Sequence, residues 1–204
     1  MAEDTPHVGE KASIALLIVD MISSMDFDGS DKLFDQAYEA ALHISDLKTE
    51  VKKYNIPVVY VNDNYGRWQS DFKELVASVR EEGVKGKPIA DLLFPDKDDY
   101  FVLKPQFSAF FATPLELLLE HLEVKTLIIT GVSGNMCIQF TANDAYMRDY
   151  QTLIPADCTA SITKEENDQA LDMMKNVLKA DITPSTEYEM PSVIKQAKRH
   201  HSKK

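Results

Sequence analysis

The chain has 204 residues, 44% of them apolar, and a formal net charge of −11. This length and composition are typical of one globular domain, and no apolar run approaches the roughly 18 residues that a membrane-spanning helix needs. The acidic balance argues against binding to nucleic acid or to an anionic membrane surface, because both require a basic face.

The two ends of the chain differ in charge. The first residues are polar and partly acidic, without the basic and apolar regions of a secretory signal, so we expect a cytoplasmic location. Residues 195–204 hold five of the 22 lysines and arginines and no acid. We expect residues 1–194 to form one domain and residues 195–204 to form a basic, flexible tail.

The chain contains two cysteines, Cys137 and Cys158. Two are too few for a disulfide framework, and neither belongs to a CxxC pair that would indicate a redox or zinc site. Both thiols are therefore expected to be reduced, and Cys158 is interpreted as a buried structural thiol.

The first part of the chain predicts a strand, a helix and a second strand. Ile14 to Val19 is continuously apolar, which is typical of a strand covered on both faces. Apolar residues then recur every three or four positions from about Leu33 to Tyr54, which predicts an amphipathic helix. Val58 to Val61 follows as a short strand, and this order is that of a βαβ unit with parallel strands.

The middle of the chain is less regular. A helix is predicted around Asp71 to Glu81, and the excursion after it is interpreted as a cover over the site rather than a linker. Tyr100 to Leu103 is a third predicted strand. Residues 113–116, Thr-Pro-Leu-Glu, have the spacing of a capping box with proline at the first helical position, so a helix is predicted from there to about Leu122.

The last part of the chain alternates again between strands and helices. Thr126 to Thr130 is a β-branched, apolar strand, and an amphipathic helix follows it with Cys137 in the first turn. Gln151 to Ile154 is a fifth predicted strand. A second capping box at residues 163–166 begins a further helix, and Ala180 to Thr183 is predicted as a last edge strand.

This alternation predicts a three-layer α/β/α sandwich with a mainly parallel sheet of five or six strands. In such sheets, ligands bind beyond the carboxyl ends of the strands. The residues at or just after those ends, in chain order, are Asp20, Asp63, Lys104, Cys137 and Asp157. An acid, a lysine and a thiol on one rim form a usable catalytic set.

A thiol nucleophile needs a group that takes its proton or stabilises its charge. None of the histidines lies at a predicted strand end, which disfavours a Cys–His dyad. Asp20 can serve as the base, and Lys104 can hold the thiolate and orient the carboxylate. Each residue also has a structural interpretation: Cys137 as a small core residue, Asp20 as a turn aspartate and Lys104 as a solvated loop lysine.

Three segments of the sequence carry a family resemblance. Residues 104–119 (KPQFSAFFATPLELLL), 127–146 (LIITGVSGNMCIQFTANDAY) and 156–161 (ADCTAS) resemble the signature segments of the isochorismatase-like cysteine hydrolases. That family includes nicotinamidase, N-carbamoylsarcosine amidohydrolase and ureidoacrylate amidohydrolase. The resemblance covers about residues 14–161 and implies cleavage of a small amide or ureido C–N bond through a thioester intermediate.

The resemblance also implies the roles of particular residues. The catalytic triad would be Asp20, Lys104 and Cys137. A cis peptide bond would join Val132 to Ser133, and the backbone N–H groups of Ser133 and Cys137 would form the oxyanion hole. A small-molecule substrate and a homo-oligomer, a dimer or a tetramer, are further implications.

Two departures from the family pattern bear on the substrate. Nicotinamidase-type members bind a divalent metal through an aspartate and closely spaced histidines after the second strand, whereas this chain has Asp63 in NDNYGRW, without histidine. We therefore expect no metal, and no nucleotide cofactor either, because GxGxxG and P-loop motifs are absent. Isochorismatases proper commonly lack the cysteine, so Cys137 favours amide chemistry. Hydrolysis of a vinyl ether and a catalytically silent binding subunit stay open as alternatives.

Five further residues are candidates for lining a substrate pocket. Asn62, Asn64 and Trp68 follow the second predicted strand, Met25 lies in the loop after the first strand, and Phe107 lies in the loop after the third. A structural tryptophan is as good an interpretation as a ligand-stacking one, and the phenylalanine also fits a packing role.

Overall fold

The computed structural model describes residues 11–66 and 71–201. The strands in these ranges are β1 (Ile14–Val19), β2 (Val58–Asp63), β3 (Tyr100–Lys104), β4 (Thr126–Val132), β5 (Gln151–Leu153) and β6 (Thr159–Ala160). The helices are α1 (Ser30–Lys52), α2 (Phe72–Val79), α3 (Lys87–Leu92), α4 (Leu115–His121), α5 (Gln139–Met147), α6 (Lys164–Leu178) and α7 (Met190–His201).

The strands form a parallel sheet in the order β3-β2-β1-β4-β5, and β6 pairs with the end of β4. The most apolar strand, β1, lies at the centre, where Ile18 is paired with Tyr60 of β2 on one side and with Thr130 of β4 on the other. Helices cover both faces of the sheet. The predicted three-layer α/β/α fold with a mainly parallel sheet is confirmed.

Each face of the sheet carries its own hydrophobic core. Successive side chains of a strand point to opposite faces. Leu16 and Ile18 of β1 pack with buried residues of α1, α3 and α7, whereas Leu17 and Val19 pack with those of α4, α5 and α6. All four side chains are fully buried, which explains why β1 is apolar at every position. No helix in the described parts of the chain is both long and apolar enough to cross a membrane.

Of the two predicted capping boxes, one forms. In α6, the Thr163 side chain accepts from the N–H of Glu166 and the Glu166 side chain accepts from the N–H of Thr163. At α4 the prediction was wrong in its detail, because Pro114 is the capping residue and the helix begins at Leu115. There the hydroxyl of Thr113 accepts from Leu115 N–H and the reciprocal bond is not made.

Three short elements differ from the sequence prediction. The predicted edge strand over Ala180 to Thr183 is reduced to one isolated bridge between Asp181 and Leu153. Strand β6 and helix α3 were not predicted. Their two and six residues are too short for a hydrophobic period to show, and they depend on contacts made by distant parts of the chain.

The basic segment at the end of the chain is helical as far as the structure describes it. Helix α7 continues past Lys195 to His201, where a flexible tail was expected. Val193, Ile194 and Ala197 pack against the core on the α1 side of the sheet, and Ala197 is 1% exposed. These three apolar residues lie at helical spacing on one face of α7, which explains why the helix continues past Lys195.

Candidate active site

The carboxyl ends of β1, β3 and β4 meet at one edge of the sheet. Asp20 follows β1, Lys104 is the last residue of β3, and Cys137 lies five residues beyond β4. The strands are parallel, so their carboxyl ends lie at the same edge of the sheet. They are also near one another in the order β3-β2-β1-β4, and the three side chains therefore converge at that edge. The structure therefore brings together the three residues of the predicted triad.

The Lys104 ammonium group lies at the centre of this cluster. Its Nζ is 2.9 Å from Asp20 Oδ2, 3.5 Å from Cys137 Sγ and 3.6 Å from Asp63 Oδ2. The Lys104 side chain is fully buried, and a buried ammonium is stable only when it is paired with opposite charge and hydrogen-bonded. The two carboxylates and the thiol supply those partners.

The Asp20 carboxylate is held on both oxygens. Oδ2 pairs with Lys104, and Oδ1 accepts from the backbone N–H of Asp63 at 2.8 Å. The backbone N–H of Asp20 donates to the carbonyl of Val61. The φ of Asp20 is 53°, which is left-handed, and aspartate adopts this conformation more readily than most residues. The carboxylate is thus fixed in one orientation beside the thiol.

Cys137 is carried by an irregular turn between β4 and α5. The peptide bond between Val132 and Ser133 is cis, and Gly134–Ile138 forms one π-helical turn before the α-helix begins. The N–H of Ile138 donates to the carbonyl of Ser133 at 3.2 Å. Cys137 therefore lies in a π-helical turn and not in the first α-helical turn that the sequence predicts. π-turns occur frequently at functional sites.

A buried polar network supports this turn from behind. The N–H of Asn135 donates to Ser161 Oγ at 3.2 Å, and Ser161 Oγ donates to Asn167 Oδ1 at 3.3 Å. Asn167 Nδ2 in turn donates to the carbonyl oxygen and the hydroxyl of Thr159. Gly134 lies against the same network, since a Cβ there would lie 2.1 Å from Asn167 Oδ1. Sequence spacing did not indicate these supporting residues.

The environment shifts the pKa of Asp20, Cys137 and Lys104. Burial raises the pKa of Asp20 above the ordinary carboxyl range, although Lys104 and Cys137 favour the anion. Burial, with the nearby Asp20 charge, raises the pKa of Cys137 to about 12. Burial alone would lower the pKa of Lys104, but Asp20, Cys137 and Asp63 outweigh it and raise that pKa. The thiol therefore keeps its proton at neutral pH, beside a carboxyl group whose basicity burial increases.

The predicted pocket residues lie in different environments. Met25 is 2% exposed and belongs to the core on the α1 side of the sheet. Asn62 is fully buried and donates to a backbone carbonyl of the loop after β1, and Asn64 is buried and accepts from the N–H two residues on. Phe107 is exposed, with its ring against a phenylalanine of α5. Trp68 lies outside the described residues, and the pocket role of all five stays a prediction.

Tyr65 is a site residue that sequence patterns did not single out. Its N–H donates to Asp63 Oδ1 at 2.6 Å, and its φ of 51° is left-handed. The pKa of its hydroxyl is raised by burial and by the charges of Asp20 and Asp63, while a hydrogen bond with Ser23 and the charge of Lys104 act in the opposite sense. The phenol thus lies within electrostatic range of the charged cluster, although the Tyr65 side chain is 51% exposed.

A group of acids outside the site lies close enough together to hold a cation. The side chains of Asp96, Asp98 and Asp99 approach one another within 4.8 Å. Lys52 Nζ lies 2.6 to 2.9 Å from all three, and Lys48 Nζ contacts Asp96 and Asp99. The two ammonium groups supply the positive charge, so this cluster is a salt-bridge network of the fold.

Solved structures share this architecture. N-carbamoylsarcosine amidase from Thermoplasma acidophilum superposes with a TM-score of 0.67 at 23% identity, covering 87% of this chain and 99% of that chain. The nicotinamidase SaPncA from Staphylococcus aureus superposes with a TM-score of 0.64 at 23% identity, covering 84% of this chain and 98% of that chain. These likenesses establish the fold.

Sequence comparison establishes the family. Residues 14–186 match the model of the isochorismatase domain. The "uncharacterized isochorismatase family protein YaaI" of Bacillus subtilis is 46% identical over 173 residues, which cover 85% of this chain and 94% of that protein. The resemblance noted in the sequence is thereby confirmed, and the chain belongs to the isochorismatase family of hydrolases.

Proposed function

We propose that this protein is a cysteine hydrolase that cleaves a small amide or ureido C–N bond through a thioester on Cys137. The observation that carries the proposal is the position of Lys104 Nζ, 2.9 Å from Asp20 Oδ2 and 3.5 Å from Cys137 Sγ. A base, a cation and a nucleophile in mutual contact form the minimum set for acyl transfer to sulfur. The two solved structures compared above are named as an amidase and a nicotinamidase, and these names support cleavage of an amide bond by this protein as well.

The first half of the reaction forms the thioester. Asp20 accepts the proton from Cys137 Sγ as the sulfur attacks the carbonyl carbon, and the carbonyl electron pair moves onto oxygen. The backbone N–H groups of Ser133 and Cys137 receive that oxyanion, a contribution whose loss typically costs a hundredfold or more in rate. The C–N bond then breaks as Asp20 returns the proton to the departing nitrogen, which leaves as ammonia or an amine.

The second half releases the product. Asp20 accepts a proton from water as the water oxygen attacks the thioester carbonyl, which passes through a second oxyanion. The C–S bond breaks, the acid product departs, and the proton held by Asp20 returns to Cys137 Sγ. Lys104 stays positively charged throughout and stabilises sulfur whenever it carries negative charge.

The test is release of ammonia or amine from a panel of small amides and ureides. We expect turnover of at least one member by the wild-type protein and a loss of about a thousandfold or more in the Cys137→Ala variant, because no other group can form the acyl intermediate. Cys158→Ala is the matched control: it removes the other thiol of the chain, which is buried away from the cluster, and should retain turnover. Mass spectrometry of the intact protein should also detect an acyl adduct on Cys137.

The remaining outcomes separate the alternatives. Undiminished turnover in Cys137→Ala would contradict the proposal. Release of pyruvate from a vinyl ether substrate, with no amide hydrolysed, would instead establish isochorismatase-type chemistry. A wild-type protein that turns over nothing and shows the alkylation profile of an ordinary thiol at Cys137 would be a catalytically silent member of the family.

A further inference from the structure

The buried Lys104 ammonium has two carboxylate partners, but the proposed mechanism uses only one. Asp20 reaches Lys104 from the end of β1, Asp63 reaches it from the end of β2, and Cys137 reaches it from the turn after β4. Among the residues that the structure describes, the phenol of Tyr65, in the loop after β2, is a further titratable group whose pKa the charge of Lys104 affects. The second carboxylate therefore needs an explanation.

The charges around Lys104 change during the reaction. In the resting site the carboxyl groups of Asp20 and Asp63 both lie against the Lys104 ammonium, with their Oδ2 atoms 2.9 and 3.6 Å from Nζ. When Cys137 has attacked the carbonyl, its sulfur is covalently bound and neutral, and Asp20 carries the proton. In that tetrahedral intermediate, Asp63 is the carboxyl partner of Lys104, among the described residues, that has not taken up the thiol proton. A fully buried ammonium without a paired anion is strongly destabilised.

We propose that Asp63 is a positioning residue that keeps Lys104 protonated and in place while Asp20 holds the proton from Cys137. This inference rests on the function proposed above. Asp63 acts through Lys104 and needs no contact with the substrate. Asp20 and Asp63 thus share the Lys104 ammonium at rest, and Asp63 alone balances its charge at the oxyanion stage.

The geometry of Asp63 suits this role. Its backbone N–H donates to Asp20 Oδ1 at 2.8 Å, so one residue anchors the base and balances the lysine. Its Oδ1 is fixed by the N–H of Tyr65 at 2.6 Å, which leaves Oδ2 directed at Lys104 Nζ, 3.6 Å away. The Asp63 side chain is 36% exposed and Asp20 is 16% exposed, so Asp63 has the better access to water. Hydration stabilises an anion that takes no part in proton transfer.

The experiment uses Asp63→Asn, which removes the charge but keeps the size, the backbone N–H to Asp20 and an oxygen for Tyr65. Two quantities are measured in a Cys158→Ala background, where Cys137 is the one thiol in the chain. The first is amide turnover, and the second is the rate of alkylation of Cys137 by iodoacetamide as a function of pH, without substrate. We expect kcat to fall about tenfold or more with KM within about threefold, because the loss concerns the intermediate. We expect the alkylation midpoint to move lower, by up to about one unit, because the Lys104 ammonium that contacts Cys137 Sγ is then shared with one carboxylate fewer and stabilises the thiolate more.

In Asp63→Asn, amide turnover should fall while the Cys137 thiol becomes easier to alkylate at a given pH. A merely structural defect would not lower the one and raise the other. The matched control is Asp91→Asn, a carboxylate of α3 that is 40% exposed and pairs with Lys87 and Arg80; both quantities should stay at the wild-type values. Unchanged kcat in Asp63→Asn, or an unmoved alkylation midpoint, would overturn the inference. If the wild-type protein hydrolyses no amide, the proposed function fails, and the alkylation midpoint alone still decides whether Asp63 acts on the lysine–thiol pair.

Discussion

At the scale of the single residue, the site depends on close packing behind the nucleophile as much as on the nucleophile itself. Gly134 has an ordinary backbone conformation, so alanine would fit its φ and ψ, yet its Cβ position is already occupied by Asn167 Oδ1. Asn167 is buried and tied to Thr159, so its side chain has little freedom to move away. The contact between Gly134 and Asn167 therefore helps to set the shape of the turn that carries Cys137.

We predict that Gly134→Ala lowers kcat about tenfold or more, since the added methyl group displaces the turn that presents Cys137 and the oxyanion N–H groups. Asn167→Ala removes the obstructing oxygen, so the double variant Gly134→Ala/Asn167→Ala should be more active than Gly134→Ala alone. Kinetics of the four proteins in a double-mutant cycle measure the coupling, which is expected to be about 0.5–3 kcal/mol. Additive effects would show that the two side chains do not collide.

The convergence of Asp20, Lys104 and Cys137 could be predicted from the sequence, but the residues that support the turn carrying Cys137 could not. Asp20, Lys104 and Cys137 each lie at or beyond the end of an apolar run, and the parallel fold places such ends together. The network of Ser161 and Asn167 joins residues of separate elements through single hydrogen bonds. The spacing of residues along the sequence does not predict such contacts.

At the scale of the element, the two predicted capping boxes show that the same sequence motif does not always form the same hydrogen bonds. Both have threonine and glutamate three residues apart, but only α6 has the first-turn geometry that lets both side chains reach the backbone. At α4, Pro114 takes the capping position, so Thr113 lies one residue too early for the reciprocal bond. A capping-box sequence thus predicts a helix start more reliably than it predicts its hydrogen bonds.

We predict that Thr163→Ala destabilises the protein by about 1 kcal/mol, because the N–H of Glu166 loses its acceptor at the start of α6. Thr163→Ser keeps the hydroxyl and should retain most of the stability. Equilibrium unfolding in urea measures both variants. Equal stability of Thr163→Ala and the wild-type protein would mean that water replaces the cap at no cost.

At the scale of the whole molecule, one buried sheet separates two cores that do not share side chains. Leu17 and Ile18 are neighbours in β1, yet one packs among α4, α5 and α6 and the other among α1, α3 and α7. Since both are fully buried, each layer should contribute to the same cooperative unfolding transition.

We predict that Leu17→Ala and Ile18→Ala each destabilise the protein by about 2–5 kcal/mol, since each leaves a cavity in a closed core. The slope of the urea transition should stay the same for both, because the surface exposed on unfolding is unchanged. Leu117→Ala, at a position that is 69% exposed, is the control and should change stability by less than about 0.5 kcal/mol. Destabilisation by one of the two core variants alone would show that the layers unfold separately.

The left-handed backbone at Asp20 limits which residues evolution can place there. A φ of 53° costs less for glycine, asparagine and aspartate than for most residues, and of these three only aspartate could serve as the proposed base for the thiol proton. A relative with asparagine at this position would keep the shape of the site without that proposed base. The identity of this one residue is therefore a criterion, readable from sequence alone, for sorting chemically competent members of the family from those that have kept only the scaffold.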